Sequence, residues 1–130
     1  MVNKEMVMDF KERLDMYEDG GLITSSDVKD IDAVIKMFKD DYNVELCEEN
    51  AATFIAHLAA AYSRNTTKEE LEDLSEDILD ELKSLDSYDE SLRILDKIVS
   101  VTSNPLNDVE KRYLLLHLNN LIANLKKVSN

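Results

Sequence analysis

Only three of the 130 residues are Gly or Pro, and this scarcity does most to limit what the chain can fold into. Two are adjacent, Gly20–Gly21, and the third is Pro105. The rest is rich in Leu, Ile, Ala, Glu, Asp and Lys, residues that join helices at little cost. Few breakers among good helix formers predict an all-α fold, with apolar residues recurring at helical spacing. A chain of 130 residues is one domain, 1–130, long enough to bury a core.

The apolar spacing predicts a compact bundle of about six helices. The first spans about 2–18, with Met6, Phe10 and Leu14 stacked, and Gly20–Gly21 ends it. The second follows a cap at Thr24, Ser25 or Ser26 and turns Val28, Ile31, Ile35, Phe38 and Tyr42 inward. The third, about 47–64, is alanine-rich and apolar, and Asn65–Thr67 should break it. Thr66 with Glu69, or Thr67 with Glu70, has capping-box spacing for a fourth helix. That helix would use Leu71, Leu74, Ile78, Leu82 and Leu85. A fifth would start at Ser87, boxed with Glu90, and bury Leu92, Leu95, Ile98 and Val99. After a turn at Ser103–Pro105, Asn107 caps a last helix to about 127, with Val109, Tyr113, Leu114, Leu118, Leu121 and Leu125 inward.

The formal charge of −13 argues against several partners. Phosphate backbones repel such a surface, so direct binding to nucleic acid is not expected. Anionic membranes are disfavoured likewise, and no apolar run is long enough to span a bilayer. A basic protein partner would be attracted. The acids gather in the fourth segment, from Glu69 to Glu81. They read as a solvated face, or as a docking surface for a basic partner. Cys47 stands alone without metal-ligand spacing and reads as a small buried side chain. The first fifteen residues break their apolar positions with charges, so no signal peptide is expected and the compartment reads as cytoplasmic.

The two histidines stand out against this background. His57 lies in NAATFIAHLAAAYSR and His117 in EKRYLLLHL, the most apolar helical segments of their halves. Imidazole changes charge and nucleophilicity near neutral pH, and two such placements suggest paired, equivalent sites. Helical spacing sets Asn50, Thr53, Phe54, Ala60, Ala61 and Arg64 on the side of His57. It sets Glu110, Tyr113, Leu114, Asn120, Leu121 and Asn124 on the side of His117. Each residue also has a structural reading. A histidine on an apolar face can be a hydrogen-bonded core residue. Arg64 can pair with an acid near its helix end. Glu110 is the N3 residue after the Asn107 cap, which favours a capping role. Tyr113 reads as core. Neither histidine has a second ligand at i+3 or i+4, so no metal site is expected.

These blocks resemble the PTS-regulation domain (PRD), the phosphorylation-controlled module of bacterial antiterminators and sugar-operon activators. His57-Leu-Ala-Ala-Ala-Tyr-Ser-Arg64 is similar to its first block, a histidine followed seven residues later by arginine. Glu110-Lys-Arg-Tyr-Leu-Leu-Leu-His117 is similar to its second, Glu-x-x-Tyr-(apolar)-x-x-His. The stretch 79–98 resembles the linking helices, and the sixty residues between the histidines fit the spacing. The resemblance covers 27–127 and leaves 1–20 as an extra N-terminal helix. Ala56 stands where many members carry Asp before the first histidine. The resemblance implies a stand-alone regulatory module, transcription-related, phosphorylated on His57 and His117 with Arg64, Glu110 and Tyr113 in support. It implies phosphocarrier HPr or an enzyme II B component as donor, a possible homodimer, and a regulatory target not named by the sequence. No cofactor is expected. The chain has no nucleophile–base pair, glycine-rich phosphate loop or metal cluster, so an enzyme is not expected either. A different class is a small acidic helical protein that binds and inhibits a basic partner.

Overall fold

The computed structural model describes residues 2–128, with side chains for 10–47 and 49–125. Among these the chain is all-helical: α1 Val2–Asp19, α2 Ser25–Tyr42, α3 Glu48–Thr67, α4 Glu76–Lys83, α5 Tyr88–Val101 and α6 Asp108–Val128. The helix ends follow local chemistry. Gly21 takes the left-handed conformation (φ 78°) that closes α1. Thr24 caps α2 with a reciprocal box: its Oγ1 accepts from the Asp27 N–H at 3.1 Å, and Asp27 Oδ2 accepts from the Thr24 N–H at 3.0 Å. Asn43, also left-handed, closes α2. Asn107 Oδ1 accepts from the Glu110 N–H at 2.8 Å and caps α6.

Helix α3 is the centre of the core. Phe54, Ile55, Leu58, Ala59 and Tyr62 are buried on it. It packs against α6, α2 and α1, and α5 joins α6 and α2. Buried Leu114, Leu118 and Leu121 come from α6, Ile94 and Ile98 from α5, Ile31, Val34 and Phe38 from α2, and Phe10 and Leu14 from α1. The Phe38 and Phe54 rings meet edge to face, centroids 6.0 Å apart. Ala51, Ala59 and Ala61 are fully covered, so the small residues of α3 let neighbouring helices close in. The expected inward Met6 lies outside the described side chains.

A polar clamp ties the α5–α6 turn to the first turns of α2. Asp27 and Asp30 are both buried. Asp30 accepts from the Ser103 N–H (3.0 Å), the Asn104 N–H (2.9 Å) and Asn104 Nδ2 (2.6 Å). Asp27 accepts from the same Nδ2 at 2.8 Å. Buried carboxylates need donors, and here one asparagine serves two of them.

The fold departs from the sequence expectation between α3 and α4. Thr66 and Thr67 remain inside α3, which ends only at left-handed Lys68 (φ 63°). Neither threonine caps a following helix. Residues 69–75 are not helical, and α4 begins after Ser75, whose Oγ accepts from the Ile78 N–H. Ile78 and Leu85 are exposed rather than inward, as is Val99 of α5. Ser87 forms no cap with Glu90; its hydroxyl donates to Asn119 Oδ1 at 2.6 Å, a partner distant in sequence that outcompetes the local one. Cys47 is a half-buried free thiol just before α3, not a core residue.

Candidate functional site

The packing of α3 on α6 brings His57 and His117 face to face. Their rings stack with centroids 3.6 Å apart and planes 15° from parallel. Both helices turn their histidine toward the seam because the residues about one turn away on the same face, Phe54 and Ala61 on α3 and Leu114 and Leu121 on α6, are core. The two positions are not equivalent. His57 is exposed, whereas His117 is half-buried beneath it.

Burial pushes the His57 imidazole below its ordinary range, and the Arg64 charge adds to the effect. Burial pushes His117 down to about 4, and the adjoining His57 ring contributes. Both rings are therefore neutral at pH 7, each with one protonated and one lone-pair nitrogen. A neutral, half-desolvated ring nitrogen is a nucleophile that needs no prior deprotonation.

Arg64 lies two turns from His57 and Glu110 two turns from His117, so the same packing joins them. Arg64 Nε meets Glu110 Oε2 at 2.8 Å, and Nη2 meets Oε1 at 2.9 Å, a bidentate pair. The Glu110 side chain is 7% exposed and that of Arg64 21%. The hydrogen bond to Glu110 holds the guanidinium even more firmly charged than usual. Here the capping reading of Glu110 gives way. Its backbone N–H takes the Asn107 cap, but its carboxylate goes to Arg64.

All five residues singled out in the sequence line one small cavity of about 110 Å³: His57, Arg64, Glu110, Tyr113 and His117. Ala61, Leu114 and Leu71 complete the wall. Tyr113 is half-buried, and its hydroxyl donates to the Glu72 carbonyl at 2.8 Å. Next to it, Arg112 Nε and Nη2 meet Asp73 Oδ1 and Oδ2 at 2.9 and 2.8 Å. These contacts lay segment 69–75 across α6 and bring Leu71 to the histidines. The leucine spacing suggested only a helix face, so Leu71 carried no sign of this role in the sequence.

Asn50, Thr53, Asn120 and Asn124 line a separate polar cleft on the other side of His117, of about 400 Å³. A larger apolar cavity of about 580 Å³, between α1, α2 and the turn before α3, holds none of the site residues. Among the described residues no group of three or more His, Cys, Asp and Glu could hold a metal ion, and no helix is long and apolar enough to cross a membrane. The arrangement offers two neutral nucleophilic nitrogens, a fixed guanidinium and a cavity between them.

A family model described as PRD domain matches residues 32–121 of the chain. No curated protein and no solved structure matches it.

Proposed function

The chain belongs to the PRD-domain family, and on that premise we propose that it is a phosphotransferase-system regulatory module that takes a phosphoryl group on histidine in the cytoplasm. The carrying observation is the stacked His57–His117 pair sharing a cavity with the Arg64–Glu110 ion pair. His57 is the first acceptor, because it is the exposed ring. The donor is a phosphohistidine protein, HPr or an enzyme II B component.

A lone-pair nitrogen of the neutral acceptor ring attacks phosphorus in line. The N–P bond to the acceptor forms as the donor's N–P bond breaks, and the electron pair leaves with the donor imidazole. The proton on the acceptor's other ring nitrogen stays in place. Little covalent work falls to the protein, so positioning and charge stabilisation supply the catalysis. The stack fixes the plane of His57 against His117. Arg64 presents positive charge to the cavity, and Glu110 holds that guanidinium in orientation.

The modification adds about −1 charge while the ring proton is retained, and nearer −2 once that proton is lost, to a chain already at −13. It also favours protonation of the second imidazole, giving the phosphoryl group a counter-cation at stacking distance. New charge at the α3–α6 seam alters which surfaces this face tolerates, including a second copy of the chain, and that change is the regulatory output. In this reading the output bears on transcription through protein contacts.

The test is incubation with phosphoenolpyruvate and the general phosphotransfer proteins, followed by intact-mass measurement. The wild type should gain an acid-labile phosphoryl group. His57→Ala should abolish or strongly slow the gain, and Arg64→Ala should slow it. No gain while a known acceptor is modified in the same mixture would refute the proposal.

A further inference from the structure

Segment 69–75, EELEDLS, contains no glycine or proline, and Glu and Leu are good helix formers. Leu71 and Leu74 continue, toward the N-terminus, the helical register of Ile78 and Leu82 on α4. Yet the segment is not helical. Five contacts hold it in its other form: Leu71 in the histidine cavity, the Tyr113 hydroxyl on the Glu72 carbonyl, the Arg112 fork on Asp73, the Leu74 N–H on Asp73 Oδ1 and the Ser75 cap of α4. All but the first are at the surface, where such contacts are individually weak. The helical alternative has its own cost. It would set Glu69 beside Asp73, Glu72 beside Glu76 and Asp73 beside Asp77, each a like-charged i,i+4 pair. Weak surface contacts on one side and like-charge pairs on the other set the two forms in competition, which is the condition for a two-state element.

We propose that residues 69–75 are a two-state cover for the face of His117 toward the cavity it shares with His57, its other face meeting the polar cleft. In the closed state they form the strap across α6, with Leu71 plugging the cavity. In the open state they join α4 as helix and withdraw Leu71, while left-handed Lys68 serves as the hinge. The strap carries four carboxylates, Glu69, Glu70, Glu72 and Asp73. Negative charge arriving in the cavity therefore favours the open state. That coupling rests on the phosphoryl reading above; the two states themselves do not.

The cover can be tested on the full chain without any phosphoryl donor. Backbone ¹³C shifts and amide exchange report helix at 69–75. Diethylpyrocarbonate, which acylates accessible imidazoles, reports exposure of each histidine. Asp73→Asn combined with Tyr113→Phe removes the charged fork and one hydrogen bond, which raises the open population roughly five- to thirtyfold. The expected result is a helical shift at 69–75 and at least roughly fivefold faster acylation of His117, with His57, already exposed, little changed. Adding Glu72→Pro, which a helix reaching Glu69 cannot hold in its interior, should cancel both effects. Unchanged shifts in the double variant overturn the proposal. So does helix formation without faster His117 acylation, or acceleration that survives Glu72→Pro. The single Asp73→Asn variant, changed only at a surface pair, gives the same signs at smaller amplitude and guards against misfolding. If phosphorylation fails while the cover opens as described, the function falls and this inference stands.

Discussion

Replacing Glu110 with alanine should strip the site of the acid that fixes Arg64, and its cost can be worked from the geometry. Removing one partner of a fully buried ion pair costs about 3–5 kcal/mol, because the other charge is left without compensation. An exposed pair is worth at most about 1 kcal/mol. With side-chain exposures of 7% for Glu110 and 21% for Arg64, this pair lies nearer the buried limit, although water can reach the guanidinium. A loss of about 2–3 kcal/mol follows. In a domain of this size each kcal/mol shifts the melting temperature by about 4 °C, so Tm should fall by roughly 8–12 °C. The assay is thermal unfolding followed by far-ultraviolet circular dichroism at pH 7. The double variant Glu110→Ala/Arg64→Ala should cost less than the sum of the single variants, with a coupling above about 1.5 kcal/mol. A Tm change under about 2 °C for Glu110→Ala, or strictly additive effects, would refute the pairing argument.

Other consequences follow from the same structure. His117 has its folded-state pKa lowered to about 4 from 6.5. Its contribution to stability is therefore fully present above pH 6.5 and lost as pH falls toward 4, because the unfolded chain binds the proton first. An NMR titration should keep its ring neutral through pH 5, and His57→Ala should move its pKa back upward. Asn104→Ala removes the amide shared by Asp27 and Asp30 and should destabilise the fold by about 2–3 kcal/mol in urea unfolding. Tyr62→Phe should change stability by less than about 1 kcal/mol in the same assay, since the buried Tyr62 hydroxyl has only Thr102 close by and no partner in good hydrogen-bond geometry.

The fold class was legible because it rests on composition and period, which act locally. Few breakers, apolar residues at 3.6 spacing and caps at Thr24 and Asn107 each determine structure within a turn or two. The residues that line the cavity were legible as well, through the resemblance of HLAAAYSR and EKRYLLLH to known blocks, although Tyr113 taken alone read as core. Their mutual arrangement was not. That Arg64 would meet Glu110, forty-six residues away, depends on the rotation of α3 against α6, and no local pattern encodes it. Glu110 illustrates the difficulty: its N3 position was sufficient reason for a cap, and only the neighbouring helix drew its carboxylate elsewhere. The miss at 69–75 has the same origin. Helix propensity was read correctly, but Tyr113 and Arg112, some forty residues later, override it through tertiary contacts. The inequivalence of the histidines likewise comes from packing, since the two segments differ little in hydrophobicity.

The proposed function requires the stacked imidazoles to receive a phosphoryl group. The most direct measurement is NMR of ¹⁵N-labelled histidine side chains, with ³¹P detection, while the chain is incubated with a phosphorylated donor protein. Phosphorylation should give a nitrogen-bound phosphorus resonance, a shifted ring nitrogen at His57, and movement of His117 toward its protonated form. Unchanged ring resonances at both positions, while a control acceptor is phosphorylated in the same tube, would contradict it.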